Sequence, residues 1–384
     1  MGLRPSHRRF VFTAALAVAL VSSGTRAEQN PASQAPAGHA ADFTLAAGGD
    51  ALVTMRFSKV TDPGFLRAIS IIRDSDAGFA NLETLFHEFQ GPAAPDTGGT
   101  LLGADPLVAE DLKWAGLSLL GRANNHAGDY GDYGMRRTTD VLDRLGLVHA
   151  GVGRTLDEAR RPAYLETPKG RVALISCTST FLPASRAGHA RGDVPGRPGV
   201  SALRTQRIFK VDSAQVDQLT RIAEQIGVSR PRPDRDGKFM LLGNHFQVAA
   251  SPGSEWTVDE HDVQEIVASV REARRQADFV IVTIHSHEPS NGSTAPAPFL
   301  PPFARASIDA GADAFIGHGP HRLRGVEIYK GKPIFYSLGN LFFQNDVVQA
   351  MPADFYEELG LGPEATPADA FDARDASGRG YAAT

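Results

Sequence analysis

The sequence predicts an α/β fold, on three observations. Strand-length apolar runs alternate with helical stretches. Each run is apolar along its whole length, the pattern of strands in sheets covered on both faces. Polar residues of metal-binding type fall directly after several of the runs, where a parallel sheet places them along one edge. With 384 residues and 42% hydrophobic content, the chain can bury a substantial core in one large or two smaller domains.

The first 27 residues stand apart. Arg4, His7, Arg8 and Arg9 are basic, Phe10 to Val21 is an apolar stretch too short to span a bilayer, and Ser22 to Ala27 is a small-residue cleavage site. This reads as an export signal cut after Ala27, giving a periplasmic or extracellular protein; a retained anchor helix is the alternative. Arg8-Arg9-Phe10 hints at the twin-arginine route. Residues 28–41 read as a flexible linker. Losing four arginines and no acids leaves 35 basic against 44 acidic residues, a net charge of −9. That argues against nucleic-acid binding and against membrane contact other than through the signal, though not against a locally positive pocket. Cys177 is the single cysteine, so neither an intrachain disulfide nor a thiolate cage is expected.

The ordered chain is expected to open with a strand at 43–50 ending in Gly48-Gly49-Asp50, followed by a second at 77–84 carrying Asn81 and Glu83. A helix over 106–115 leads to a strand at 117–120, which runs into Arg122, Asn124, Asn125 and His126. Next come a helix at 134–145 and strands at 147–150 and 171–177. A long helix at 259–276, basic at its end as suits a helix C-terminus, precedes an apolar strand at 279–284 and His285-Ser286-His287-Glu288. Asp313 to Ile316 leads into His318 and His321, and a hairpin follows, with strands at 326–329 and 333–338 turning at Lys330-Gly331-Lys332. Two regions break the rhythm: 181–204, rich in Pro, Gly and Arg, and 230–256, polar and irregular. Both are expected to form the rim over the strand ends. Residues 346–384 read as an irregular tail.

Carboxylate, carboxamide and imidazole groups together suit one or two divalent ions such as Mn²⁺, Zn²⁺ or Fe²⁺. A duller reading exists for each: Asp50 as a cap, Asn81 with Glu83 as a surface turn, Asn124-Asn125 as a left-handed turn pair. His126 is the best candidate for a general acid. Arg122, Arg191, Arg197 and Arg204 lie on loops from which a guanidinium fork recognises phosphate or carboxylate. His245 reads as a solvated loop position, His149 and His189 as structural or surface residues.

Taken in order, Gly49-Asp50, Asn81-Leu82-Glu83, Asn124-Asn125-His126 with Asp129-Tyr130-Gly131, His285, and Gly317-His318-Gly319-Pro320-His321 resemble the CapA family of capsule and poly-γ-glutamate biosynthesis. That family falls within the calcineurin-like metallophosphoesterases. Gly196 to Val200 and Gly331 to Asn340 match its wording too, and the likeness covers about 43–343. It implies a four-layer αββα sandwich over 42–345. It also implies metal ligation by Asp50, Glu83, Asn125, His285, His318 and His321, with His126 catalytic and Asn81, Asn124, Arg122, Arg197 and Arg204 as substrate contacts. The implied reaction is attack by metal-activated hydroxide on an anionic cell-surface polymer or phosphoester, with other capsule-assembly proteins as partners. A non-catalytic polymer-binding or assembly factor is the alternative. The chain departs from the pattern at Asp50-Ala51-Leu52, which lacks the histidine of Asp-x-His, and at His285-Ser286-His287, where either histidine suits the ligand position. The family's further closing strand pair is not evident after 345, which implies a truncated chain or an unpaired sheet edge.

Overall fold

The computed structural model describes residues 43–97 and 99–378, so the expected export segment and linker lie outside the described residues. The first half runs β1 (Leu45–Leu52), α1 (Pro63–Arg73), β2 (Ala77–Leu82), α2 (Val108–Trp114), β3 (Leu119–Gly121), α3 (Gly131–Leu145) and β4 (Val148–Ala150). Then follow α4 (Leu156–Arg160), β5 (Ala163–Thr167), β6 (Gly170–Thr178), β7 (Thr205–Val211), α5 (Ser213–Gln225), β8 (Lys238–Leu241), β9 (Asn244–Val248) and β10 (Gly253–Val258). The last part holds α6 (Glu260–Gln276), β11 (Phe279–His285), α7 (Leu300–Asp309), β12 (Ala314–His318), β13 (Val326–Tyr329), β14 (Lys332–Phe335), β15 (Asn340–Phe343), α8 (Ala353–Glu358) and α9 (Pro367–Ala376).

Two large sheets form the centre. One is parallel throughout, in the order β15-β1-β2-β3-β4. The other runs β13-β14-β12-β11-β6-β5, parallel in its middle and antiparallel at both edges. Period-two alternation sorts their side chains into two faces. Phe79, Leu119, Leu174, Ile281, Ile316 and Phe335 pack between the sheets. From the outer face of the first sheet, Ala80 and Leu120 meet Ile69, Leu112 and Leu142 of α1, α2 and α3. On the second sheet, Ile175, Val282 and Phe315 meet Ile266, Val270 and Phe303 of α6 and α7. The layers therefore run helix, sheet, sheet, helix, the four-layer αββα sandwich expected.

Capping chemistry agrees with the helix starts. Asp62 accepts from the Phe65 amide ahead of Pro63, and Asp259 accepts from Asp262. Gly49 is demanded by packing: a Cβ there would lie 1.8 Å from the Gly339 carbonyl oxygen, where β1 passes the loop into β15.

Three expectations are corrected. The stretch 230–256 is not irregular: β8, β9 and β10 join β7 in a separate sheet, ordered β8-β9-β7-β10. Its alternation is short but real, with Phe239 and Leu241 buried beneath α5 while Lys238 and Met240 face outward. Nor is 346–384 an irregular tail, because α8 and α9 lie within it and Phe371 and Val348 pack on Leu52 and Leu102. Finally, the hairpin strand expected at 333–338 stops at Phe335.

Candidate metal centre

The two sheets bring their strand ends together. Asp50 is the β1 partner of Asn81 on β2, at a bulge in the β1 register, and His285 ending β11 is the partner of His318 ending β12. Asp50, Glu83, His285 and His318 are all buried. Asp50 Oδ1 lies 3.3 Å from His318 Nδ1 and 3.5 Å from His285 Nδ1, and its Oδ2 lies 3.5 Å from His321 Nδ1. Glu83 Oε1 is 3.6 Å from His285 Nε2 and 3.9 Å from His126 Nε2. Within each of three sets, Asp50-His285-His318, Asp50-Glu83-His321 and Glu83-His285-His287, the donor atoms lie within 4.8 Å of one another.

A surrounding layer fixes these groups. Asn81 Nδ2 donates to Asp50 Oδ1 at 2.8 Å, and the Gly319 amide donates to Asp50 Oδ2 at 2.9 Å. Thr283 Oγ1 is 2.6 Å from His318 Nε2. Asn340 Oδ1 lies 2.8 Å from Nδ1 of His321, a residue held at φ 56°, in the left-handed region that histidine enters at some cost. Asp129 Oδ2 takes His126 Nδ1 at 2.8 Å while also accepting the Leu102 amide.

Charge is distributed unevenly. Burial works to raise the Asp50 carboxyl, yet contacts from His285, His318 and His321 hold it well below the ordinary range. Burial, reinforced by the Asp50 charge, pushes Glu83 up to about 8. Burial brings His285 down to about 4. His126 moves upward because Asp129 outweighs its burial.

Whether these residues suit a divalent cation is answered by atoms that the protein leaves unpartnered. Both Glu83 carboxylate oxygens and Asn125 Oδ1 are buried and accept no hydrogen bond. A buried carboxylate without a partner costs several kcal/mol, roughly, and a cation is the usual remedy. The donors are oxygen and imidazole nitrogen, whereas Cys177 lies in the core between the second sheet and its helices. The set therefore fits.

Not every expected residue serves the cluster directly. Asn81 and Asn124 are buried and bonded to protein: Asn124 Nδ2 donates to Asn81 Oδ1 and to the Leu82 carbonyl, and its Oδ1 accepts the His126 amide. Through these bonds they brace the centre. Arg122 is buried against α3, donating to Thr139 and to the Met135 carbonyl. Arg197 is exposed and donates to the Arg186 carbonyl, while Arg204 pairs with Asp259 and Asp262. The three guanidinium groups expected to recognise substrate thus have their partners elsewhere. Arg322 and Arg324, just after His321, were missed; they donate to carbonyls of the 288–293 loop that follows His287. Asp129, beside His126, was missed as well, although it stands in the motif that singled out His126.

Fold and donor cluster define an αββα protein with a metal-type centre at its strand ends. Residues 44–345 match the family described as bacterial capsule synthesis protein PGA_cap, and the chain belongs to it. An uncharacterized protein of Sinorhizobium fredii is 41% identical over 84% of this chain and 70% of its own length. The capsule biosynthesis protein CapA of Bacillus anthracis is 26% identical, over 63% of this chain and 44% of that protein. A probable polyglutamine synthesis accessory protein of Mycobacterium tuberculosis is 31% identical over 62% and 45%. This chain thus spans under half the length of the latter two. A phosphatase crystal structure from Mycoplasma pneumoniae aligns over 84% of this chain and 82% of its own, at 10% identity and a TM-score of 0.36. Among the described residues, no helix is long and apolar enough to cross a membrane.

Proposed function

We propose that this protein is an exported, metal-dependent hydrolase that acts on an anionic capsule or cell-surface polymer such as poly-γ-glutamate. Kinship with capsule and polyglutamine biosynthesis proteins supports the substrate class. The observation that carries the chemistry is the buried Glu83 carboxylate, unpartnered between Asp50, His285 and His126. Asp50, Glu83, Asn125, His285, His318 and His321 would hold one or two divalent ions, with Mn²⁺, Zn²⁺ and Fe²⁺ suiting the donors. Bound, such ions lower the pKa of water and draw charge from a phosphoryl or acyl oxygen.

The remaining work falls to the chain. His126 Nδ1–H donates to Asp129, which fixes the tautomer and turns Nε2 toward Glu83. From there Nε2 hands a proton to the leaving oxygen as water attacks the opposite side of the reacting centre. Asp129 raises the basicity of the ring, so the proton is held until the leaving group needs it. Asn81, Asn124 and the Gly319 amide keep the carboxylate and imidazoles from rearranging as charge develops.

Elemental analysis of purified protein, paired with a phosphodiester assay on the parent and on His126→Ala, tests this reading. Metal retained and turnover lost by about 10²–10⁴-fold in His126→Ala is expected for a general acid. Metal without turnover in either protein would instead indicate a polymer-binding or assembly factor.

A further inference from the structure

Resting on that reading, we propose that His287 is a further cation ligand, completing a position with Glu83 and His285, and that Asn291 is the residue which orients it. His287 Nε2 lies 2.9 Å from His285 Nε2, and both nitrogens share a 4.8 Å neighbourhood with the unpartnered Glu83 carboxylate. Asn291 Oδ1 sits 2.6 Å from His287 Nδ1 and accepts its proton, which leaves the lone pair on Nε2, the atom facing the cluster. Two nitrogens bound at about 2.0–2.1 Å to one tetrahedral ion stand about 3.3 Å apart. The two Nε2 atoms need to part by only a few tenths of an ångström to reach that arrangement.

The loop is secured more firmly than a surface turn requires. The His287 amide donates to Thr180 Oγ1 at 2.9 Å. The Glu288 carboxylate gathers the hydroxyls of Ser179, Thr180 and Ser286. Arg324, itself buried, donates to the carbonyls of Glu288, Ser290 and Ser293, and Arg322 to that of Gly292. These bonds leave the two residues after His285 little freedom, so the His287 ring is held beside that of His285. The ligand class is a borderline divalent ion, Zn²⁺ ahead of the harder Mn²⁺, because imidazole nitrogen outnumbers oxygen at this position.

The test is calorimetric titration of the metal-stripped full chain with Zn²⁺ and with Mn²⁺, alongside elemental analysis and melting curves to establish folding. His287→Ala should take up one ion fewer than the parent, or bind its outermost ion far more weakly. Asn291→Ala should keep the parent's stoichiometry and weaken that ion about 10–100-fold. His287→Asp, which restores an oxygen donor, should recover binding. A parent that binds ions and a His287→Ala protein that binds the same number at the same affinity would overturn the assignment while leaving the proposed hydrolase intact. Unchanged affinity in Asn291→Ala would remove Asn291 from it. A parent that binds no ion at all would end both readings together.

Discussion

At the residue scale, the centre is assembled from groups whose individual stability is poor. Glu83 buries a carboxylate with no hydrogen-bond partner, an arrangement retained in proteins where function requires it. In chelator, Glu83→Gln should therefore melt no lower than the parent, yet lose most of its metal affinity; a large drop in melting temperature would make Glu83 a structural residue. His87 offers a pH-dependent counterpart outside the cluster. Its ring is buried against Tyr130, accepts the Phe89 amide on Nδ1 and leaves Nε2 unpartnered, and burial holds its pKa down at about 4. The unfolded chain takes a proton near pH 6.5 and the folded chain only near 4, so acidification between those values favours unfolding. Urea unfolding at pH 7 and pH 5 should show the parent losing about 2 kcal/mol more than His87→Phe. Equal losses in both proteins would refute that origin.

At the element scale, α4, β7 and α6 are tied together by a buried charge network. Asp262, in the first turn of α6, accepts from Arg160 at the end of α4 and from the amide and guanidinium of Arg204, just before β7. Burial would raise the Asp262 carboxyl, but Arg204 and Arg160 bring it below the ordinary aspartate value. Its stabilisation is thus present above that value and fades as pH falls through the folded pKa. Asp262→Asn should cost about 3 kcal/mol at pH 7, because the buried Arg160 loses one of its counter-charges, while the part-exposed Arg204 keeps Asp259 and adds little. The penalty should shrink as pH falls below about 4, where the unfolded parent takes up a proton that the folded carboxylate resists; a pH-independent difference would mean that packing, not charge, is responsible. Sequence reasoning assigned Arg204 to substrate since a loop arginine near strand ends looks the same whether its partner is a ligand or an aspartate 58 residues later. Local pattern carried β1 to β4, β6, β11 to β14 and helices α2, α3 and α6, and it missed the edge strands β5 and β15. It failed for β8 to β10, whose apolar alternation is only two residues deep, and for α9, whose few buried residues gain their meaning from Leu52 and Leu102, far away in the chain.

At the scale of the whole molecule, the donors were legible because parallel strands deliver their carboxyl ends to one edge, so that Asp50, Glu83, Asn125, His285 and His318 could be picked out one strand at a time. Their pairing across sheets was not legible. Nothing in the chain's local pattern says that β1 of one sheet would present Asp50 to His285 and His318 of the other. That crossing has a mechanical consequence. An ion held by Asp50 and by His318 bridges the two layers where Phe79, Leu119, Ile281 and Ile316 already pack them together. Binding restricted to the folded state stabilises it by about 2.7 kcal/mol when free ion stands at 100 times its dissociation constant. Chelation should therefore lower the melting temperature by on the order of a few degrees, in one transition rather than two, because neither sheet can release its share of the ligands alone. Asp50→Asn should gain less in melting temperature from added Zn²⁺ or Mn²⁺ than the parent does, since the position that Asp50 shares with His318 has lost its charge. If metal raised the melting temperature of Asp50→Asn as much as that of the parent, the ion would be held without Asp50, by donors such as Glu83, His285 and His287, and the bridge through Asp50 would be excluded.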